Sequence, residues 1–224
     1  MGPNRQGLSK TYILQAVEAS LQRLQTDYID LYQSHADDPD TPLEETLEAY
    51  GQLIKQGKIR AIGASNYSAE RLAQSLKASE QTGYPRYESL QPLFNLYDRE
   101  DYEKELEPLC REKGIGVINF FSLASGFLTG KYRSTADLTN RARGSFVEKY
   151  LNKRGFRIIE ALDSVAQEHN ITPAQVTIAW LISHPSITAP IAIATNLEQL
   201  NELIEATRIE LNPAAVDRLN QASA

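Results

Sequence analysis

One histidine stands at the end of a short apolar run and could take part in carbonyl chemistry. His35 follows the run Ile29–Tyr32, which predicts a strand, and acidic residues come directly after it. A neutral imidazole can donate a hydrogen bond to a carbonyl oxygen, so His35 is a candidate catalytic residue. The alternative is a structural histidine that is satisfied by hydrogen bonds of its own.

Amide and hydroxyl side chains follow the next two predicted strands. Ser65 and Asn66 lie in IGASNYS after the second strand, and Gln91 ends the third. Because an amide offers both a donor and an acceptor, these residues could hold a carboxamide. Serine and asparagine are also common in turns and helix caps, and Gln91 could equally belong to a packed turn with Pro92.

The fourth and fifth strand ends carry residues suited to a flat ring and to phosphate. Phe120 could stack on a ring, and a segment rich in glycine and serine runs from it to Lys131. Small residues let backbone N–H groups approach phosphate oxygens. Thr195 and Asn196 stand where a later helix begins, which is another common anion site. A flexible loop and ordinary helix capping are the competing interpretations. Taken together, the five strand ends predict a nicotinamide dinucleotide lying across them.

The positions of these side chains depend on a predicted alternation of strands and helices. The predicted strands are Tyr28–Gln33, Ile59–Gly63, Glu88–Gln91, Ile115–Phe120 and Thr188–Ile193. The first four begin about 30 residues apart, the length of a strand with its returning helix. Without a GxGxxG segment a Rossmann sheet is disfavoured, and a (β/α)8 barrel of the TIM type is predicted. About five of its eight β/α units are present, and residues 122–148 are predicted to form a long loop.

The composition restricts the class of protein. The 224 residues carry 23 basic and 29 acidic side chains, and no basic stripe suited to nucleic acid is evident. No apolar run approaches the roughly 18 residues of a membrane helix, and no secretion signal is evident, so a cytoplasmic location without membrane contact is predicted. Cys110 is the only cysteine and the three histidines are scattered, so no metal site is predicted.

Several segments resemble the aldo-keto reductases in the order and spacing of that family. They are YIDLYQSHADD, GKIRAIGASNYS, LQPLFNLYDRE, GVINFFSLASGFLTGKYR and TPAQVTIAWLISHPSITAPIAIATNLEQLNELI. The chain is similar in particular to bacterial and plant-type members related to the potassium-channel β subunits. The resemblance covers essentially the whole chain. It implies one partial barrel domain over residues 1–224 that binds NADP(H) and transfers hydride between the cofactor and a small aldehyde or ketone.

The resemblance also implies roles for individual residues. The nicotinamide amide would be held by Ser65, Asn66 and Gln91. Phe120 takes the place of the aromatic residue that stacks on the nicotinamide ring. The loop over the pyrophosphate would contain Ser122, Leu123, Ser125 and Lys131. The segment at the adenosine end would contain Ala194, Thr195, Asn196, Gln199 and Glu202. Ile193 and Leu203 depart from the family pattern there, which leaves the preference for NADPH over NADH open.

His35 matches the histidine of the family's Asp-Tyr-Lys-His tetrad. In that tetrad the tyrosine supplies a proton, the lysine lowers the tyrosine pKa, and the histidine orients the carbonyl. The other three residues would lie in a DTAxxYG-like segment and a lysine-bearing strand, and the sequence contains neither. We therefore expect an N-terminally truncated barrel without its first three strands and with weak or no turnover. Tyr67 and Lys58 are expected to be structural.

Three interpretations follow. The first is a truncated reductase. The second is a non-catalytic module that binds NADP(H), or has a regulatory role, and pairs with a partner chain. The third is a degenerate fragment that folds poorly on its own. Open sheet edges favour pairing with other chains, so a homo-oligomer that covers them is a further expectation.

Overall fold

The chain forms two compact units in a computed structural model that describes residues 7–138 and 144–224. The first unit consists of Met1–Pro92 and Glu105–Val117. The second unit consists of Leu93–Lys104 and Ile118–Ala224. A single domain over residues 1–224 stays a prediction.

The first unit is a parallel sheet with helices between its strands. The strands are β1 (Ile29–Ser34), β2 (Ile59–Ser65), β3 (Tyr87–Gln91) and β4 (Gly116–Val117). The helices are α1 (Lys10–Leu24), α2 (Leu43–Lys55), α3 (Ala69–Thr82) and α4 (Glu107–Lys113). The strand order follows the chain, β1-β2-β3-β4, and every pair is parallel. The predicted α/β class with a parallel sheet is confirmed, and these four strands do not close into a barrel.

Local sequence signals account for the helix boundaries of the first unit. Ser9 caps α1 by accepting the main-chain N–H of Tyr12, and Ser68 caps α3 by accepting that of Arg71. Gly83 ends α3 with a φ of 71°, a left-handed conformation that glycine adopts without strain. α2 packs against α1, α3 and β2, so the helices bury their apolar faces on the sheet and on one another.

A chain of buried hydroxyl groups connects the strands of the first unit to α2. The Ser34 Oγ lies 2.8 Å from the hydroxyls of both Tyr50 and Tyr87, and the Tyr87 hydroxyl lies 3.1 Å from that of Tyr67. Burial raises the pKa of all three tyrosines, so their hydroxyls stay protonated. Because Ser34 ends β1 and Tyr67 lies just beyond β2, this network fixes two of the strand ends.

The second unit is mainly helical. Its α-helices are α5 (Gly144–Val147), α6 (Lys153–His169), α7 (Pro173–Ser183), α8 (Leu197–Ala206) and α9 (Pro213–Ser223). α6 packs against α7 and α9, and α7 packs against α8.

Short helical turns interrupt the segments that were predicted to be irregular. The chain has a π-helical turn at Tyr102–Leu106 and 3₁₀ turns at Ala124–Thr129, Thr135–Leu138 and Glu148–Tyr150. The prediction of one long loop over residues 122–148 is therefore wrong for the part that the structure describes. Residues 139–143 of that loop lie outside the described residues.

The fifth predicted strand, Thr188–Ile193, is not a strand. The main-chain N–H of Ile191 donates to the Asn119 carbonyl oxygen at 3.0 Å, but no regular ladder forms around this bond in the described part of the second unit. The physical reason is Pro190, which has no N–H to donate and interrupts a ladder at that point.

The fourth strand is shorter than predicted. β4 covers Gly116–Val117 rather than Ile115–Phe120, although Phe120 makes an isolated parallel bridge with Leu93 in the second unit. Within residues 7–138 and 144–224 the sheet therefore has four strands where the sequence predicted five.

Two kinds of feature are absent from the described ranges. No helix within them is both long enough and apolar enough to cross a membrane. The same residues contain no group of three or more histidine, cysteine, aspartate or glutamate side chains arranged to hold a metal ion.

Candidate functional site

The first unit brings four predicted residues together where its strands end. We call His35, Ser65, Asn66 and Gln91 the amide cluster. The Asn66 side-chain nitrogen donates to the His35 carbonyl oxygen at 2.8 Å and to the Ser65 Oγ at 3.2 Å. The Ser65 hydroxyl donates to the Gln91 carbonyl oxygen at 2.9 Å. The ends of β1, β2 and β3 are thus joined through side chains that the sequence singled out.

The amide cluster has a buried base and an exposed rim. Ser65 is buried, whereas Asn66 and His35 are exposed. Asn66 has a φ of 54°, a left-handed conformation that asparagine tolerates better than most residues. Its hydrogen bonds use the amide hydrogens, so its oxygen is the atom suited to accept from the amide of a ligand.

The second unit contains a cavity of about 1090 Å³, which we call the second-unit cavity. Eight of the ten residues predicted to bind the cofactor in this unit line it. They are Phe120, Ser122, Leu123, Ser125, Lys131, Thr195, Gln199 and Glu202. Ala194 and Asn196 do not line it. Asn196 instead caps α8, where its Oδ1 accepts the main-chain N–H of Gln199 at 2.9 Å.

Other lining residues had no assigned role in the sequence interpretation. They are Phe121, Tyr132, Phe146, Thr172, Pro173, Ala174, Ile191 and Ala192. The helix-start signal Thr-Pro-Ala-Gln could have identified Thr172–Ala174, because it marks a helix N-terminus. The aromatic residues lie outside any regular strand or long helix, so no periodicity could have placed them.

A buried asparagine fixes one part of the cavity wall. Asn119 is fully buried, and its side-chain nitrogen donates to the Phe94 carbonyl oxygen at 2.8 Å and to the Ser122 Oγ at 3.1 Å. The Ser122 hydroxyl donates its own proton to the Ile191 carbonyl oxygen at 2.7 Å. Three chain segments are tied together in this way. Ser122 therefore helps to build the wall, and its contact with a phosphate stays a prediction.

The segment that follows turns through left-handed backbone conformations beside Lys131. Ala124, Ser125 and Gly126 have φ values of 47°, 57° and 93°, all in the left-handed region. The N–H groups of Ala124 and Gly126 donate to the carbonyl oxygens of Phe121 and Leu123, at 2.7 and 2.8 Å, and so stabilise the turn itself. The Lys131 ammonium lies against this backbone, since a Cβ added to Gly126 would be only 2.8 Å from the Lys131 Nζ. A positive charge and a left-handed turn therefore meet at the cavity.

Two helix N-termini also lie at the second-unit cavity. Thr172 caps α7 through a capping box with Gln175, and Thr195 lies just before α8, where its N–H and hydroxyl both donate to the Gln199 Oε1 at 2.9 Å. Helix N-termini carry partial positive charge and favour anions. The Glu202 carboxylate, which accepts a hydrogen bond from the Thr172 hydroxyl, adds a negative group. The cavity thus suits a ligand that carries both an anion and a hydrogen-bond donor.

Comparison with known proteins gives this geometry a context. The model of the aldo/keto reductase family matches residues 1–224. The "Probable voltage-gated potassium channel subunit beta" of Arabidopsis thaliana is 34% identical, covering 98% of this chain and 69% of that protein. The "Aldo-keto reductase AFTS1" of Alternaria alternata is 36% identical, covering 93% and 56%. The "Uncharacterized oxidoreductase YrpG" of Bacillus subtilis (strain 168) is 34% identical, covering 98% and 66%. The chain thus spans 56% to 69% of the length of these relatives.

Proposed function

This chain belongs to the aldo/keto reductase family, and we propose that it binds NADP(H) and takes part in the reduction of a small aldehyde or ketone. The fold of that family is a (β/α)8 barrel, with which the parallel strand–helix order of the first unit agrees. The observation that carries the proposal is the second-unit cavity, where Lys131 and two helix N-termini favour an anionic ligand.

The second unit supplies the proposed contacts to phosphate and adenosine. Lys131 would hold the pyrophosphate, because its ammonium lies beside Gly126 at the wall of the cavity. Gln199 and Glu202 would contact the adenosine end, since the carboxylate can accept from an amino group. Phe120 would stack on the nicotinamide ring.

Two residues of the first unit have proposed roles of their own. The Asn66 oxygen would accept from the nicotinamide amide, and the exposed His35 imidazole would orient a substrate carbonyl. The bound nicotinamide supplies the hydride. The sequence has no DTAxxYG-like segment, so we propose that this chain alone turns over slowly. Loss of a positioned proton donor typically lowers a rate by about 10²–10⁴-fold.

A second candidate function is an NADP(H)-binding module without turnover that pairs with a partner chain. It is favoured by the relative from Arabidopsis thaliana, whose name describes it as a probable channel subunit. A homo-oligomer that covers the sheet edges and a cytoplasmic location both stay predictions. Binding with and without turnover separates the two candidate functions.

The test is a fluorescence titration of the purified chain with NADPH, followed by addition of an aromatic aldehyde. We expect saturable binding and slow or no oxidation of NADPH. Replacing Lys131 with methionine should weaken binding about tenfold, as expected for a lost charged hydrogen bond. The control is Lys153→Met, which removes an exposed lysine that does not line the cavity. Absence of NADPH binding by folded wild-type protein would contradict the proposal.

A further inference from the structure

Helix α8 has an apolar stripe that is largely exposed. Leu197, Leu200 and Ile204, which we call the α8 stripe, are 76%, 44% and 48% exposed. Because they are three and then four residues apart, they lie on one side of the helix. Ala206 lies on the opposite side and is buried, and α7 packs against α8. The α8 stripe is therefore additional to the packing of α8 within its own unit, and it occupies the side where a surface helix normally has polar residues.

The α8 stripe is separate from the second-unit cavity. The residues of α8 that line the cavity are Gln199, Glu202 and Leu203, and none of them belongs to the stripe. A ligand in the cavity would therefore not contact the stripe. Exposed apolar side chains that form one continuous patch mark an interaction surface, whereas single ones scattered over a surface need no explanation.

The charges at the two ends of the α8 stripe indicate what covers it. Glu198 lies at its start and Arg208 at its end, and both are exposed. The Arg208 N–H donates to the Glu205 carbonyl oxygen at 3.0 Å, so the chain still follows a helical turn there. Within residues 7–138 and 144–224 neither the Glu198 nor the Arg208 side chain forms an ion pair. The Glu205 carboxylate, in contrast, accepts from the Gln175 side-chain nitrogen of the same unit. Opposite charges at the two ends suit a helix that runs in the opposite direction.

We propose that the α8 stripe is a contact between two copies of this chain, whose α8 helices pack antiparallel across a twofold axis. Leu200 of one copy lies against Ile204 of the other, and Glu198 of each copy lies beside Arg208 of the other. The twofold axis makes each contact occur twice. A parallel arrangement would instead bring the two glutamates together, which is unfavourable. This contact goes beyond the proposed function and uses the second unit, whereas the open sheet edges belong to the first.

Sedimentation velocity of the purified chain at low and high concentration tests the contact. We expect a reversible equilibrium between monomer and dimer. Its dissociation constant should be micromolar or above, because a helix of 10 residues buries little surface. Leu200→Gln should weaken association by at least about tenfold, since the twofold axis removes two leucines from the contact. Leu24→Gln, a matched change at an exposed leucine of α1, is the control and should leave association unchanged.

Two charge variants test the antiparallel direction. Glu198→Arg places two arginines together at each end of the contact, and Arg208→Glu places two glutamates there. Each variant alone should therefore associate about fivefold more weakly. In an equimolar mixture each arginine meets a glutamate of the other variant, so the mixture should associate as strongly as the wild type. A mixture that associates no better than either variant alone would overturn the antiparallel pairing.

Folding and cofactor binding are measured on the same variants. Leu200, Glu198 and Arg208 are exposed and do not line the cavity, so circular dichroism spectra and NADPH affinity should match those of the wild type. A chain that binds NADPH but stays monomeric at high concentration would overturn this inference alone, as would a dimer that Leu200→Gln leaves intact. A dimer that depends on Leu200 but does not bind NADPH would support this inference and overturn only the proposed function.

Discussion

The amide cluster and the second-unit cavity are held in place by different means. In the amide cluster the register of neighbouring strands brings the side chains together, and hydrogen bonds between Ser65, Asn66 and Gln91 complete it. The cavity wall combines the first turns of α7 and α8 with irregular chain, and the irregular part is fixed by Asn119 and by residues in left-handed conformations. In a regular sheet many main-chain hydrogen bonds position the site residues, whereas in an irregular wall a few individual side chains position them.

The largest expected effect concerns the thiol of Cys110, which lies in the first unit. Burial raises the pKa of this thiol to about 11, so at pH 8 the reactive thiolate should be roughly 200-fold scarcer than in an unfolded chain with a pKa of about 8.5. Labelling with a thiol reagent at increasing pH measures this difference. Because the unfolded thiol ionises first, the raised pKa should also lower folded stability as the pH rises from about 8.5 towards 11. Labelling of the native protein as fast as in urea would contradict the buried position.

The next largest effect should follow from breaking the cavity wall. Asn119→Ala removes the donor to Phe94 and Ser122 and leaves a small void. We therefore expect the free energy of unfolding to fall by about 3 kcal/mol. Urea unfolding followed by the fluorescence of Trp180, the only tryptophan and part of the second unit, measures it. Asn212→Ala, at the exposed cap of α9, is the matched control and should cost about 1 kcal/mol. Equal losses in the two variants would show that the wall does not depend on Asn119.

A smaller loss of stability is expected in the first unit, where many main-chain hydrogen bonds of the sheet hold the strands in place. Ser34→Ala removes the hydroxyl between Tyr50 and Tyr87 and should cost about 2 kcal/mol, because two buried hydroxyls lose a partner. Tyr67→Phe removes only the terminal member of this chain and should cost about 1 kcal/mol. Chemical unfolding of both variants, followed by circular dichroism, tests the order. A larger loss for Tyr67→Phe would mean that the hydroxyls do not act as a chain.

The smallest expected change is an increase in stability. Ala124→Gly relieves the strain of a φ of 47° in the cavity wall and should stabilise the protein by about 1 kcal/mol. The same replacement in the middle of α6, Ala161→Gly, should destabilise it by a similar amount. The opposite signs, read from two thermal unfolding curves, distinguish a strained wall from a regular helix. A loss in both variants would mean that the left-handed turn is not strained.

The sequence predicted regular elements better than the cavity wall. Ser9, Ser68 and Pro173 marked the starts of their helices correctly, because capping is a local interaction that spans only three or four residues. The spacing of the strands likewise predicted the parallel sheet. The predicted strand at Thr188–Ile193 failed, because apolar composition was read as a ladder that Pro190 cannot complete.

The parts that sequence did not place depend on long-range contacts. Asn119 contacts Phe94 and the chain near Ile191, which are far apart in sequence. No local sequence pattern predicts such contacts. The position of Phe121 depends on Asn95 in the same way. The residue types of the amide cluster were readable at the strand ends, but the hydrogen bonds that orient them were not, because these require the register of β2 against β3.

Hydrogen exchange with and without NADPH would test most directly whether the second-unit cavity is the cofactor site. We expect added protection in residues 122–131 and at the start of α8, where the lining residues lie, and little change in α1 and α2. Protein that binds NADPH but gains protection elsewhere, with residues 122–131 unchanged, would contradict this assignment.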